Sequence, residues 1–340
     1  MINYNLLEVR RAIFHKVMAK RDDQEPYVDE SDSMIYMTSA MEAIFRTRMS
    51  DAFSQGGKAF ELSINDVEDG SVFSIIHRMR QDSDARFIEK SIDLAQKLAD
   101  MQTKKSIPHG FFVLLDCVYP LGNLPVYVLM KAEPHDAVGI SNNTARVLEN
   151  IILSPSQKMY KAACFQQISA EGGHRGYKAY LFDEQFASRA QLAEYFYKDF
   201  LGLSVNSNDK VLTKMFFFRL SESIKEKYAN DFLRRNEAEA QLDSEMRNQN
   251  TALRPSEVID RIIEPRDREY FYRRVIRDDI PTNFRKNLSL LEGKMMRRSM
   301  SISDQIKIFA PQDIFQDDSF IIDRETDNDY VIVKIAKNRV

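Results

Sequence analysis

The chain has 340 residues, of which 44% are hydrophobic and 29% are charged, and its formal net charge is −3. This composition is typical of a folded globular protein and excludes an intrinsically disordered chain, which is poorer in apolar residues and further from neutrality. The longest apolar runs, FFVLL and MFFF, are much shorter than the roughly 20 residues that span a bilayer, so we expect no membrane association.

Two further features bear on the compartment and the number of domains. Cys117 and Cys164 each lie in an apolar run, as buried free thiols do, and two cysteines are too few for a disulfide framework. The first residues, MINYNLLEVRRAIFHK, contain no signal-peptide core, so we expect a cytoplasmic protein. The length corresponds to about two domains, which we place at 1–155 and 156–340.

The first domain is predicted to begin with a strand over 6–19, followed by a polar turn region. Residues 34–53 repeat apolar residues at three- and four-residue spacing, which predicts a helix that ends at Gly56 and Gly57. A second amphipathic helix is predicted over 84–102. Its apolar stripe consists of Ile88, Ile92, Ala95 and Leu98.

Four strands follow as two hairpins. Residues 110–119 and 124–133 are nearly continuous apolar runs separated by a turn rich in Pro and Gly, which predicts a hairpin buried on both faces. Residues 158–169 and 176–184 form a second pair, joined by AEGGHR. That loop lies between strands and lacks the lysine of a phosphate-binding loop, so a simple hairpin connection is favoured.

The second domain is predicted to be mainly helical. The pattern from Ser188 predicts a helix that ends at Gly202, and apolar residues at four-residue steps predict one long helix over 209–248. The stripe on this long helix fits packing within the domain, and the helix's length and charged second half also fit a dimer contact or an extended arm. Pro255 begins a further helical segment that Pro265 should divide.

The chain closes with strands in the segments DQIKIFAP, SFIIDRE and YVIVKIAK, and with a hairpin turn at 326–329. Strands thus follow strands more often than they alternate with helices. This order predicts an α+β fold with antiparallel sheets and packed helices, in two α/β domains with a long helix in the C-terminal half.

The sequence contains no recognisable motif for catalysis or metal binding. The five histidines are not spaced as zinc ligands, and neither a GxSxG turn nor a kinase signature occurs. A Mg²⁺-dependent nuclease would need carboxylates and a lysine on adjacent strands, for which Asp116, Lys131 and Glu133 are the candidates. We therefore expect no enzymatic activity, no cofactor and no metal.

The clearest functional signal is a basic stretch over 254–298, named the arginine segment, which contains twelve Arg and Lys against eight Asp and Glu. Arginine forks bind phosphate oxygens and give affinity for DNA without reading its sequence. The same residues also fit a solvated helix whose charges pair internally. The candidate DNA-binding residues are Arg261, Arg266, Arg268, Arg273, Arg274, Arg277, Arg285, Lys286, Arg297 and Arg298.

Several segments along the chain also look familiar in their order and spacing. They are AIFHK (12–16), FIEKSIDLAQKLADM (87–101), IPHGFFVLLD (107–116), SPSQKMYKAA (154–163), AEYFYKDFLGLS (193–204) and the closing strands over 306–335. In this order they resemble the bacterial nucleoid-associated protein family of the NdpA/YejK type. The chain departs from that family at YLFDEQFASR, where relatives carry a Lys-Gly-Arg-like stretch.

The resemblance implies a cytoplasmic, nucleoid-located protein that binds double-stranded DNA as a homodimer and has no catalytic activity. Two alternatives stay open. One is an interaction module whose target is another protein, with a role such as defence against phage. The other is a divergent Mg²⁺-dependent nuclease at the three residues named above.

Overall fold

The computed structural model describes residues 2–21, 24–54, 59–141, 144–151, 161–169, 173–184, 186, 193–291, 297–301, 306–311, 320–323 and 332–335. The backbone divides into two compact units, Met1–Ser207 and Asn208–Val340, named the N-terminal and C-terminal units. The boundary predicted near residue 155 lies inside the N-terminal unit, where strands on both sides of that residue belong to one sheet.

A large antiparallel sheet forms the centre of the N-terminal unit. The strands of this unit are β1 (Glu8–Met18), β2 (Tyr27–Asp29), β3 (Phe60–Ile64), β4 (Gly110–Tyr119), β5 (Leu124–Ala132), β6 (His135–Ser141), β7 (Thr144–Ile151), β8 (Lys161–Gln167), β9 (Tyr177–Asp183) and β10 (Leu203–Ser204). Eight of them form the sheet, in the order β10-β3-β9-β8-β5-β4-β1-β2, and β6 pairs with β7 as a separate hairpin. The predicted α+β class is confirmed.

The central strands β4 and β5 show how the sequence sets this sheet. Gly122 has a φ of +91° and Asn123 a φ of +50°, which are conformations that glycine and asparagine adopt most readily, and the chain reverses there. Residues Phe112–Val118 and Pro125–Ala132 are buried without interruption. The predicted hairpin with two buried faces is confirmed, as is the pairing of β8 with β9. The β6–β7 hairpin and the short strand β3 are not predicted from the sequence.

Helices α1 (Ser39–Phe53), α2 (Val72–Arg78) and α3 (Asp84–Met101) belong to the same unit. Each is preceded by a hydroxyl residue whose oxygen accepts the backbone N–H three positions further on; these residues are Thr38, Ser71 and Ser83. The two predicted helices are therefore confirmed, α1 beginning later than predicted. Gly56 and Gly57 lie outside the described residues.

The buried face of α3 differs in part from the predicted stripe. Ala95 and Leu98 are buried as predicted, but Ile88 and Ile92 are only half-buried. The buried positions on the first turns are Phe87, Ser91 and Leu94. The face is rotated because Phe87 packs under the Arg11 guanidinium and the Ser91 hydroxyl lies 2.8 Å from His15 Nε2.

The helix predicted from Ser188 is described only from residue 193, where it forms a π-helical turn over Tyr195–Phe200. It ends at Gly202 as predicted, with a φ of +64°. A Cβ at this position would lie 2.5 Å from Asp66 Cβ, and the Gly202 carbonyl accepts N–H bonds of 2.9 Å from both Asn65 and Asp66. Glycine is required here by conformation and by space.

The C-terminal unit begins with two helices where one was expected over 209–248. They are α4 (Asp209–Lys227) and α5 (Phe232–Arg247). The single long helix is thus wrong, because the Asp231 carboxylate accepts the N–H of Arg234 at 3.0 Å and starts a new helix. The apolar stripe of α4 packs inside the unit, where Leu212, Phe216 and Leu220 are buried.

The rest of the C-terminal unit consists of short elements. Helices α6 (Pro255–Ile262) and α7 (Arg268–Val275) flank Pro265, which divides them as predicted. The strands are β11 (Ala252–Leu253), β12 (Phe284–Arg285), β13 (Arg297–Ser301), β14 (Lys307–Pro311), β15 (Phe320–Asp323) and β16 (Ile332–Ile335), which pair in antiparallel twos. The predicted C-terminal strands are confirmed, and β11, β12 and β13 are additional. The turn at 326–329 lies outside the described residues. In the described part of the chain, no helix is long and apolar enough to cross a bilayer.

Candidate nucleic-acid interface

The arginine segment forms α6, α7 and strands β12 and β13 of the C-terminal unit. Two of its arginines are anchored to other helices. Arg261 on α6 makes a two-pronged contact with Glu245 on α5, with Nε–Oε1 at 2.8 Å and NH2–Oε2 at 3.0 Å. Arg274 on α7 pairs with Glu226 on α4. These contacts join α6 and α7 to the two helices before them.

Arg273 points outward on α7 and pairs within its own helix. Its Nε lies 2.7 Å from Glu269 Oε1, one turn earlier, and 77% of the side chain is exposed. Arg266 is also mostly exposed and lies 3.1 Å from Glu264. Surface pairs of this kind contribute little to stability, roughly 0–1 kcal/mol each, so the arginine can exchange its partner at small cost.

Arg268 has a structural role that could not be predicted from the sequence. Its Nε donates to the Ile263 carbonyl at 3.0 Å and its NH2 donates to the Asp260 carbonyl at 2.7 Å. These carbonyls belong to the C-terminal end of α6, whose last carbonyls have no partner within the helix. Arg268 therefore caps α6, and its side chain is only partly exposed.

Lys286 likewise caps the C-terminal end of a helix, α5. Its ammonium donates to the carbonyls of Glu245 and Asn248 and to Asn248 Oδ1, at 3.3, 2.7 and 2.6 Å. All three donors of the ammonium are thus used at the end of α5, and none is left for a phosphate. Of the ten candidates, Lys286 is the one whose geometry argues most directly against a DNA contact.

The remaining candidates lie around the same unit. Arg277 is exposed after the end of α7, and Arg285 is exposed on β12. The Arg285 backbone N–H donates to Asp209 Oδ1 at 3.2 Å. Arg297 and Arg298 lie on the backbone of β13, and their side chains are outside the described part.

An open cleft of about 290 Å³ lies between α5, α6 and the turn that leads to α7. The predicted residues Arg261 and Arg268 meet there with Arg234, which the sequence does not single out. Arg234 comes into the cleft because α5 starts anew at Asp231, and it pairs with Glu264 and, at 3.6 Å, with Asp267. Carboxylates thus face the three guanidinium groups.

The candidate nuclease residues do not come together. Asp116 is buried and bound by Arg11, with Nε–Oδ2 at 2.8 Å. Lys131 Nζ lies 3.7 Å from Glu133 Oε1, but Asp116 is opposite Tyr127, four residues and roughly 13 Å along β5 from Lys131. In the described part of the chain, no three His, Cys, Asp or Glu side chains are grouped as a metal site.

Comparison with known protein families gives a match over nearly the whole chain. A family model described as NA37, nucleoid-associated protein YejK, matches residues 13–338. Among curated proteins, none matches the chain. The match covers both units and nearly every segment on which the resemblance in the sequence rests.

Proposed function

This chain belongs to the NA37 family of nucleoid-associated proteins, and from that membership we propose that it binds double-stranded DNA in the nucleoid, largely without regard to base sequence and without catalysis. The family match over residues 13–338 carries the proposal. A homodimer is part of it, because two copies double the number of phosphate contacts on one duplex.

The exposed arginines of the C-terminal unit support this function chemically. Arg273 holds its carboxylate only through a surface pair. Arg266 pairs with the exposed Glu264 at 3.1 Å and, at 3.9 Å, with the largely buried Asp267. DNA phosphates can replace the surface pairs because such pairs are weak. Arginine binds phosphate through two parallel N–H bonds. Binding of this kind is driven by release of counterions and carries no sequence information.

The experiment that tests the proposal compares two unrelated duplexes of equal length in a gel-shift titration at low salt. We expect equal affinity for both and a shifted species whose mass in sedimentation corresponds to two chains per duplex. A plasmid incubated with the protein and Mg²⁺ should stay intact. Absence of binding at about 50 mM salt, where phosphate contacts are strongest, would contradict the proposal.

A second candidate is a protein partner, favoured by the carboxylates that face Arg261, Arg268 and Arg234 and reduce the positive field of the cleft. A pull-down from cells, treated with DNase before elution, separates the two functions. DNA binding predicts that captured proteins are lost after DNase. A partner retained after DNase, together with no gel shift, would favour the second candidate.

A further inference from the structure

A row of buried polar side chains crosses one end of the large sheet in the N-terminal unit. Lys131 on β5 is directly opposite Lys161 on β8, which is directly opposite Asp183 on β9. Side chains directly opposite each other in an antiparallel sheet project from the same face. Their exposed fractions are 1%, 2% and 3%. Two ammonium groups and a carboxylate therefore lie side by side inside the protein; these three residues are named the lysine row.

Two members of the lysine row have protein partners. Lys131 Nζ donates to the Pro108 carbonyl at 3.0 Å and lies 3.7 Å from Glu133 Oε1. Asp183 Oδ2 accepts the backbone N–H of Ala193 at 3.1 Å. Lys131 therefore keeps at least one N–H donor beyond these contacts, and Asp183 is held by the chain that enters the π-helical turn.

Lys161 differs from both. It makes no hydrogen bond or ion pair with any residue that the structure describes, although it is 2% exposed. A buried ammonium without a partner is strongly unfavourable, and like charges directly opposite on neighbouring strands destabilise a sheet. Burial, together with the charge of Lys161, lowers the pKa of Lys131 to about 8. The pair thus has N–H donors and positive charge that the described residues around it do not fully use.

The chemistry of the surroundings favours an oxygen anion over other ligands. Lys161 offers three N–H donors and Lys131 at least one, all from ammonium groups, which bind phosphate-like oxygens as point charges. Tyr195 lies on the π-helical turn, and its pKa is raised by burial and by the nearby charges of Asp183 and Glu133. Its phenol therefore stays protonated and is a further donor near the row.

We propose that Lys131 and Lys161 form a binding site for a small oxyanion with the size and charge of inorganic phosphate. The low exposure of both lysines excludes a duplex backbone and limits the ligand to one that fits inside the unit. The anion accepts hydrogen bonds from both ammonium groups and removes their mutual repulsion. The site is distinct from the arginine segment and does not depend on the proposed DNA binding.

The test is thermal unfolding of the full chain in chloride and in phosphate, at one pH and one ionic strength. The wild type should gain a few degrees in melting temperature, saturating at millimolar phosphate, because a ligand that binds only the folded state stabilises it. The Lys161→Met variant should lose this gain and be at least as stable as the wild type in chloride. Lys104→Met, at an exposed lysine of the same unit, should keep the full gain.

Further variants and ligands separate binding at Lys131 and Lys161 from general effects of phosphate. Phosphate also stabilises proteins in general by exclusion from their surface, so the difference between wild type and Lys161→Met is the quantity that counts. Lys161→Arg, which keeps the cation, should retain part of the gain. Adenosine monophosphate and a short duplex separate a free anion from a nucleic-acid phosphate, and the duplex should give no gain that depends on Lys161. Equal phosphate gains in wild type and Lys161→Met, or no gain in the wild type, would overturn the proposal.

Discussion

His15 lies on β1 between two hydrogen-bonding partners. The backbone N–H of Ser31 donates to Nδ1 at 3.0 Å, so Nδ1 carries no proton, and Nε2 lies 2.8 Å from the Ser91 hydroxyl. Burial lowers the pKa of His15 to about 4, against about 6.5 in an unfolded chain. The folded protein therefore keeps this imidazole neutral, which fits a structural histidine and not a metal ligand.

The stability that depends on neutral His15 is fully present above about pH 6.5 and is lost as the pH falls towards 4. Between pH 7 and pH 5 the wild type should lose about 2 kcal/mol of unfolding free energy through this group, and His15→Gln should not show that loss. Urea unfolding at the two pH values measures it. His109→Gln, at an exposed histidine, should behave as the wild type; an unchanged pH dependence in His15→Gln would contradict the assignment.

Arg219 on α4 and Asp279 form a largely buried ion pair, with NH1–Oδ1 at 2.7 Å and NH2–Oδ2 at 2.5 Å. Burial alone would raise the pKa of Asp279, but the contact with Arg219 lowers it overall. Arg219→Met should lower the unfolding free energy by about 3–5 kcal/mol, because it leaves a buried carboxylate unpaired.

The double variant Arg219→Met with Asp279→Leu should lose much less than Arg219→Met alone, since apolar replacements of a whole buried pair are often nearly neutral. Urea unfolding of the single and double variants checks this. A double variant as unstable as the sum of the two single changes would show that the two residues act independently.

For single residues, the sequence gives the sign of a side chain's charge but rarely predicts the residue with which it pairs. The Arg273–Glu269 pair follows from four-residue spacing on one helix. Arg261 and Arg274 pair instead with Glu245 and Glu226, 16 and 48 residues away. These partners are too far along the chain to be predicted from local spacing. Lys161 reads as an ordinary polar position in the sequence, and only the strand register brings it opposite Lys131.

Among the elements, those with their own periodicity and turn signals are predicted best. The β4–β5 hairpin has continuous apolar runs and a Gly-Asn turn, and it forms as predicted. The break between α4 and α5 is missed because the four-residue apolar spacing runs through it, although Asp231 is a good first cap. The β6–β7 hairpin is missed because its strands are mixed in polarity and form no continuous apolar run.

The turn at Gly202, where the π-helical segment ends, gives a testable prediction about stability. Gly202→Ala should lower the unfolding free energy by more than the roughly 1–3 kcal/mol that a positive φ costs a residue other than glycine, because its Cβ would also collide with Asp66. Gly70→Ala is the matched control, since Gly70 has a φ of +81° with nothing within 4 Å. Equal losses in the two variants, measured by urea unfolding, would contradict the steric part of the argument.

For the whole molecule, the central feature is a nearly neutral chain that concentrates positive charge locally. The arginine segment carries twelve basic and eight acidic residues within a chain of net charge −3. The sequence predicts this excess but not how much of it is held by carboxylates. Only some arginines of the segment are exposed and can exchange their carboxylate partner for a phosphate. DNA affinity should therefore come from few contacts and depend strongly on each of them.

Arg273 and Arg86 provide a matched pair of tests for the location of the DNA site. Both are exposed helix arginines paired with a glutamate three or four residues away, Arg273 with Glu269 and Arg86 with Glu89. Arg273→Glu should weaken duplex binding for every sequence and reduce the salt slope by about 1. Arg86→Glu, on α3 of the N-terminal unit, should leave both unchanged.

Removing the carboxylate of Glu269, which competes with DNA for Arg273, should change DNA affinity in the opposite direction. Glu269→Gln should tighten DNA binding, because it frees Arg273 and removes a charge that repels phosphate. Gel-shift titrations across a salt series check all three variants. Equal effects at Arg273 and Arg86 would mean that the response reports net charge and not a site on α7.

The most direct test of phosphate-driven DNA binding is the dissociation constant of the wild-type protein for one duplex, measured across a salt series. If about six phosphates are neutralised, affinity should fall on the order of a thousandfold between roughly 50 and 200 mM salt, along a straight line of log affinity against log salt. A dissociation constant that stays flat across the series, or a duplex that is not bound at any salt concentration, would contradict the account.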